Sequence, residues 1–114
     1  MAHAYSRVRN RPGVFMACSG HGTLNFGTGL ANALVDCAPV VALGGASVLG
    51  EFGRGAFQEF DQLAAMRPVV KWAERVYEVR RIPELVNQAF RRALAGKPGP
   101  RYIWISRATC SSAL

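Results

Sequence analysis

Apolar positions follow two patterns along the chain. Unbroken apolar runs, Val14-Phe15-Met16-Ala17-Cys18, Val40-Val41-Ala42-Leu43 and Tyr102-Ile103-Trp104-Ile105, stand between turn residues. A run apolar on both faces predicts a central strand of a parallel sheet, covered by helices above and below. Elsewhere apolar residues recur at helical spacing. Leu24 to Asp36 carries Phe26, Leu30, Ala33 and Leu34 on one side. Pro83 to Ala95 carries Leu85, Val86, Ala89, Phe90, Ala93 and Leu94. The second is the clearer helix, with Pro83 and Glu84 in its first turn, Arg91 and Arg92 near its last, and Gly96 just past the end. Phe57 to Met66 predicts a shorter helix with Phe57, Phe60 and Ala64 on one side, ended by Pro68. Val69 to Trp72 predicts a brief strand.

Turn residues divide these segments. After a short basic lead-in, Arg11-Pro12-Gly13 feeds the first strand, and Ser19 to Thr23 forms a small-residue loop behind it. Pro39 opens the second strand, Gly44-Gly45 closes it, and Ala46 to Ala56 reads as an exposed loop. Gly27, Gly29 and Ala31 lower the helix propensity around them, which predicts close approach of that helix to the sheet or to a neighbouring helix. The alternation predicts an α/β domain, a parallel sheet flanked by helices with right-handed crossovers. Three clear strands are few for this much apolar surface, so part of the domain is expected to be missing.

Composition narrows the function classes. With 114 residues, half of them hydrophobic, the chain supports one core and no second domain. No apolar run approaches the length of a membrane span, and the first residues lack the apolar stretch of a signal peptide. Cys18, Cys37 and Cys110 are odd in number and widely spaced, which predicts reduced, mostly buried thiols in a cytoplasmic protein. The net charge of +7 raises the question of nucleic acid. Arg7, Arg9 and Arg11 alternate, however, and Arg80, Arg81, Arg91, Arg92 and Lys97 are spread out with few aromatics among them. That is a solvated surface rather than a stacking platform, so neither nucleic acid nor membrane is expected as a partner.

The chemistry-bearing candidates cluster after the first strand. Ser19 to Asn25 lies at the carboxyl end of a parallel strand and before a helix, where open α/β sheets hold ligands. A dinucleotide fingerprint fails there, because Asn25 holds the place of the third glycine. A nucleophile elbow around Ser19 fails too, with Ala17 and His21 where glycines are needed. Glu59 and Asp61 read as a solvated or capping pair, His3 as a surface residue, and Gln58 alone as an exposed polar side chain.

Four blocks in order resemble the pyrimidine-binding domain of thiamine-diphosphate-dependent enzymes, of the acetolactate synthase, 2-hydroxyacyl-CoA lyase and oxalyl-CoA decarboxylase type. Tyr5-Ser6-Arg7 with Arg11-Pro12-Gly13-Val14 is similar to "GYAR-x-TGRPGV", and Ser19-Gly20-His21-Gly22-Thr23-Leu24-Asn25 to "SGPGxxN". Phe57-Gln58-Glu59 with Asp61 is similar to "FQExD", and Ala95-Gly96-Lys97-Pro98-Gly99-Pro100 to "SGRPGPV". Each block alone is weak; together they are specific.

The resemblance implies thiamine diphosphate contacts at Gly20, Gly22, Asn25 and Gln58, and a substrate cavity lined by Phe57, Gln58 and His21, with no metal ligand in this chain. His21 departs from the family's Pro. The resemblance also implies that Mg²⁺ and the diphosphate are held by a separate diphosphate-binding domain of the same or another subunit, in a homo-oligomer. FAD is implied only for an intact acetolactate synthase, through a middle domain. The family's activating Glu stands just before the block that begins at Met1, and none of Glu51, Glu59, Glu74, Glu78 or Glu84 matches its place. Trp104 and Ser106 stand where "DLP" or "DIP" gives Asp and Pro. The expectation is a partial domain over residues 1–106 and an unmatched tail over 107–114, cut from a longer gene and inactive alone. A non-catalytic interaction or structural module is the alternative.

Overall fold

The computed structural model describes residues 1–106; the tail 107–114, with Cys110, lies outside the described residues. Four strands form one sheet: β1 (Gly13–Ala17), β2 (Val40–Ala46), β3 (Trp72–Val76) and β4 (Arg101–Ser106). They stand in the order β1-β2-β4-β3, and every neighbouring pair is parallel. Five helices accompany them: α1 (Ala2–Arg9), α2 (His21–Leu24), α3 (Phe26–Val35), α4 (Gln62–Met66) and α5 (Ile82–Leu94). The expected parallel sheet flanked by helices is what the chain forms.

The strand order dictates the layers. The first two crossovers advance across the sheet in one direction and the third returns, so right-handedness sends α5 to the opposite face from α3 and α4. Leu30 of α3 and Met66 of α4 accordingly pack with Ala42, Tyr102 and Trp104. Leu85, Ala89 and Ala93 of α5 pack with Val41, Val76 and Ile103 on the other side. On β1, an edge strand, Val14 and Met16 remain 48% and 73% exposed.

Several expectations change. The basic lead-in is helical: α1 ends at Asn10, which takes the left-handed conformation (φ 54°). His3 is not a plain surface residue, since its Nε2 sits 3.2 Å from an Asp36 carboxylate oxygen and ties α1 to α3. The helix predicted over Leu24 to Asp36 begins at His21 and divides at Asn25. Gly27 and Gly29 do not mediate close approach within the chain, because a Cβ at either would meet nothing within 4 Å. Leu94, placed on the apolar stripe of α5, is half exposed. The cysteines are less buried than predicted: Cys18 is exposed and Cys37 half-buried.

β2 passes through Gly44 and Gly45 instead of stopping there. At Gly44 a Cβ would fall within 2.7 Å of Tyr102 Cε2, and at Gly45 within 3.0 Å of the Ser19 backbone nitrogen. Glycine serves here as space for neighbours, not as a turn. The brief strand expected over Val69 to Trp72 lies later, as β3 from Trp72, because Glu74 and Arg75 interrupt its apolar pattern. Only the second half of the helix expected over Phe57 to Met66 forms. It starts at Asp61, whose carboxylate accepts the Ala64 N–H at 3.0 Å, an N-cap that ends the preceding loop.

Candidate functional site

The loop behind β1 is closed by its own side chains. The buried Thr23 hydroxyl donates to the Cys18 carbonyl at 3.1 Å, turning the chain from β1 into α2. Gly20 takes a positive φ of 64°, and a Cβ there would lie 2.5 Å from Gln58 Cβ and 2.8 Å from the Gln58 carbonyl oxygen. Gly20 is therefore glycine on two counts, conformation and contact. A Cβ on Gly22 would meet Cys18 Sγ at 2.6 Å.

Gln58 approaches from the loop before α4. Its own φ of 60° lies in the left-handed region, which costs a residue with a Cβ about 1–2 kcal/mol. Its side-chain oxygen accepts the Ser19 hydroxyl at 3.1 Å. Glu59 folds the same loop back on itself, its carboxylate accepting the N–H groups of Gly53 and, at 2.9 Å, Ala56. The hydrogen bond from Gly53 is the main reason the Glu59 carboxyl is held below the usual glutamate value.

Between the two loops, at the carboxyl ends of β1 and β2, lies a cleft of about 180 Å³ bounded by Ser19, Ala46, Ser47, Glu51, Ala56 and Phe57. Phe57 presents its ring to solvent at 87% exposure, so it is not a core residue. Gly20, Phe57 and Gln58 thus come together, and His21 is exposed at the start of α2 beside them. Asn25 does not join them. It lines a second cleft of about 270 Å³ with His3, Phe15, Phe26 and Gly29. Sequence reasoning missed Ser19 as a site residue, although its place directly behind a parallel strand was the available signal.

All seven acidic residues fall within the described part, and none is buried. Among the described residues no three His, Cys, Asp or Glu side chains converge as metal ligands.

Comparison with known proteins decides the lineage. The family model for the thiamine pyrophosphate enzyme, N-terminal TPP binding domain, matches residues 1–65. The chain belongs to this family. It is 37% identical over 113 residues to a mitochondrial acetolactate synthase of Schizosaccharomyces pombe, covering 99% of this chain and 17% of that protein. It is 37% identical over 102 residues to a 2-hydroxyacyl-CoA lyase of Arabidopsis thaliana, covering 90% and 18%. An acetolactate synthase of Arthrospira platensis is 40% identical over 106 residues, covering 93% and 18%. The chain therefore spans less than a fifth of these curated relatives. Gly20 is packed against Gln58, and beside them Phe57 offers an exposed aromatic face to the cleft.

Proposed function

We propose that residues 1–106 supply the pyrimidine-facing wall of a thiamine-diphosphate site in a carboligase or decarboxylase. Its substrates are 2-keto acids or 2-hydroxyacyl-CoA thioesters. The observation that carries the reading is the Ser19–Gln58 hydrogen bond, which joins two of the family-like blocks across 39 residues. Bound thiamine diphosphate would supply an electron sink for making or breaking the bond next to a carbonyl. Gly20 and Gly22 would keep the loop tight against Gln58 and Cys18, and Gln58 would hydrogen-bond to the cofactor. Phe57, Gln58 and His21 would face the substrate.

The missing half is a partner's task. A diphosphate-binding domain of the same or another subunit would bring Mg²⁺ and the diphosphate pocket, in a homo-oligomeric whole, with FAD only where that whole is an acetolactate synthase. The free, exposed Cys18 thiol supports a reducing compartment such as the cytoplasm. Among the described residues no helix is long and apolar enough to cross a membrane.

The second reading is a non-catalytic module that only associates with a partner. It is favoured by seven acidic residues of which none is buried, and by the exposed Val14 and Met16 on edge strand β1.

Calorimetric titration of the 114-residue chain with thiamine diphosphate and Mg²⁺ separates the two, alongside a pyruvate turnover assay. The cofactor reading expects no turnover from the chain alone, and binding once a diphosphate-binding domain from a related acetolactate synthase is added. That binding is lost in Gln58→Ala. Turnover by the chain alone overturns its assignment as half a site. No binding under either condition leaves the non-catalytic module.

A further inference from the structure

Arg75 is a buried cation with no hydrogen-bonded anion among the described residues. Its side chain is only 7% exposed, yet it takes part in no ion pair among the described residues. The guanidinium carbon lies 4.1 Å from the Trp104 ring centre and 4.2 Å from that of Phe52. Aromatic rings satisfy the faces of a guanidinium and leave its N–H edge untouched. That edge is unmet here: Nε and Nη2 are both buried and neither has a hydrogen-bond partner. These two nitrogens share one side of the plane and form the fork that matches two oxygens of a carboxylate or phosphate.

A further donor lies beside the fork. Trp104 is the register partner of Arg75 in the sheet, is 2% exposed, and its indole N–H has no acceptor. The neighbouring carboxylates are engaged elsewhere. Glu74 accepts the Arg75 backbone N–H at 3.2 Å, and Glu59 is held by Gly53 and Ala56. Three unmet polar atoms on two adjacent strands, towards the ligand-holding end of a parallel sheet, describe a receptor for negative charge.

We propose that Arg75 and Trp104 form a donor site for one oxyanion, the carboxylate or phosphate of a small molecule, with Phe52 as its outer wall. Phe52 is 40% exposed against 2% for Trp104, so it is the ring on the solvent side. Because the fork nitrogens are out of contact with solvent, the Phe52 ring turns outward to admit the ligand. The inference stands apart from the cofactor reading, since neither probe below contains a pyrimidine.

The test is an NMR titration of the full chain with inorganic phosphate and, separately, with acetate, at constant ionic strength against chloride. The Arg75 Nε–H and Trp104 indole N–H signals are expected to shift together and saturate with at least one probe, which also tells phosphate from carboxylate preference. Phe52→Ala should bind several-fold more tightly, and Arg75→Lys, which keeps the charge but not the fork, at least tenfold more weakly. The proposal is overturned if neither signal saturates, or if the shifts lie only around Arg91, Arg92 and Lys97. An Arg75 Nε–H already shifted downfield in the free chain and indifferent to both probes overturns it as well.

Discussion

The Tyr102 ring occupies the space that a side chain at residue 44 would need: a Cβ on Gly44 would come within 2.7 Å of Cε2 and 2.8 Å of Cζ. This relationship fixes how β2 and β4 sit side by side, because Ala42, one pleat away on the same face, is the register partner of Tyr102. The phenol is buried, and its hydroxyl donates to Gln62 Oε1 at 2.7 Å, joining the sheet to α4. Burial also pushes the phenol above its ordinary pKa.

Gly44→Ala is therefore expected to destabilise the chain by about 1–3 kcal/mol through overpacking. Tyr102→Phe should lose about 1–3 kcal/mol because Gln62, itself buried, is left with an unpaired oxygen. The two losses should not add, since removing the hydroxyl relieves part of the clash. Urea unfolding of both single variants and the double variant measures this, and strict additivity would refute the contact.

Gly20→Ala should damage the site more than the fold. The substitution meets a left-handed backbone and a Gln58 Cβ at 2.5 Å, so the loop before α4 must move away. Gln58→Gly should do the reverse. It relieves a strained φ worth about 1–2 kcal/mol while deleting the amide that Ser19 holds. The expected pair of outcomes is a stable Gln58→Gly protein with no cofactor response, and a Gly20→Ala protein in which Ser19 loses its partner. Thermal melts with and without thiamine diphosphate and the added partner domain read both.

Glu59 predicts an acid limb in the stability profile. Its carboxyl is held below the usual value in the folded chain, so the unfolded chain binds more protons over the range beneath about pH 4.5. The sign follows: the contribution is complete above the unfolded value and disappears as pH falls through the folded one. Comparing parent and Glu59→Gln across pH 3 to 7 should show the gap between them closing towards the acid end. A gap independent of pH would mean that the carboxylate does not hold the Gly53–Ala56 loop.

Gly27 and Gly29 should accept alanine with a gain. Both lie within α3 and face open space, so each replacement is expected to add about 0.5–1 kcal/mol by restricting the unfolded chain and favouring the helix. Guanidinium unfolding of the double variant checks the sum. If the same variant also fails to bind a diphosphate-binding domain, the bare strip along α3 is where that partner approaches. A loss of stability in the isolated chain would contradict the open geometry.

The local sequence was enough for elements whose code is complete within a few residues. β1, the start of β2, β4 and α5 were legible because continuous apolar runs and a 3.6-residue stripe with proper caps leave few alternatives. The family, and the blocks around Gly20 and Gln58, were legible for the same reason, being short and ordered. The rest depended on contacts made far along the chain. β3 hides its apolar pattern because Arg75 is accommodated mainly by Phe52 and Trp104, which lie far from it along the chain. Gly44 and Gly45 look like a strand end until Tyr102 and the Ser19 backbone are placed against them. Ser19 and Gln58 meet only after β1 and the loop before α4 have been brought to the same end of the sheet. Such pairings carry no periodic trace in sequence, since their energy is realised only when distant segments share one volume.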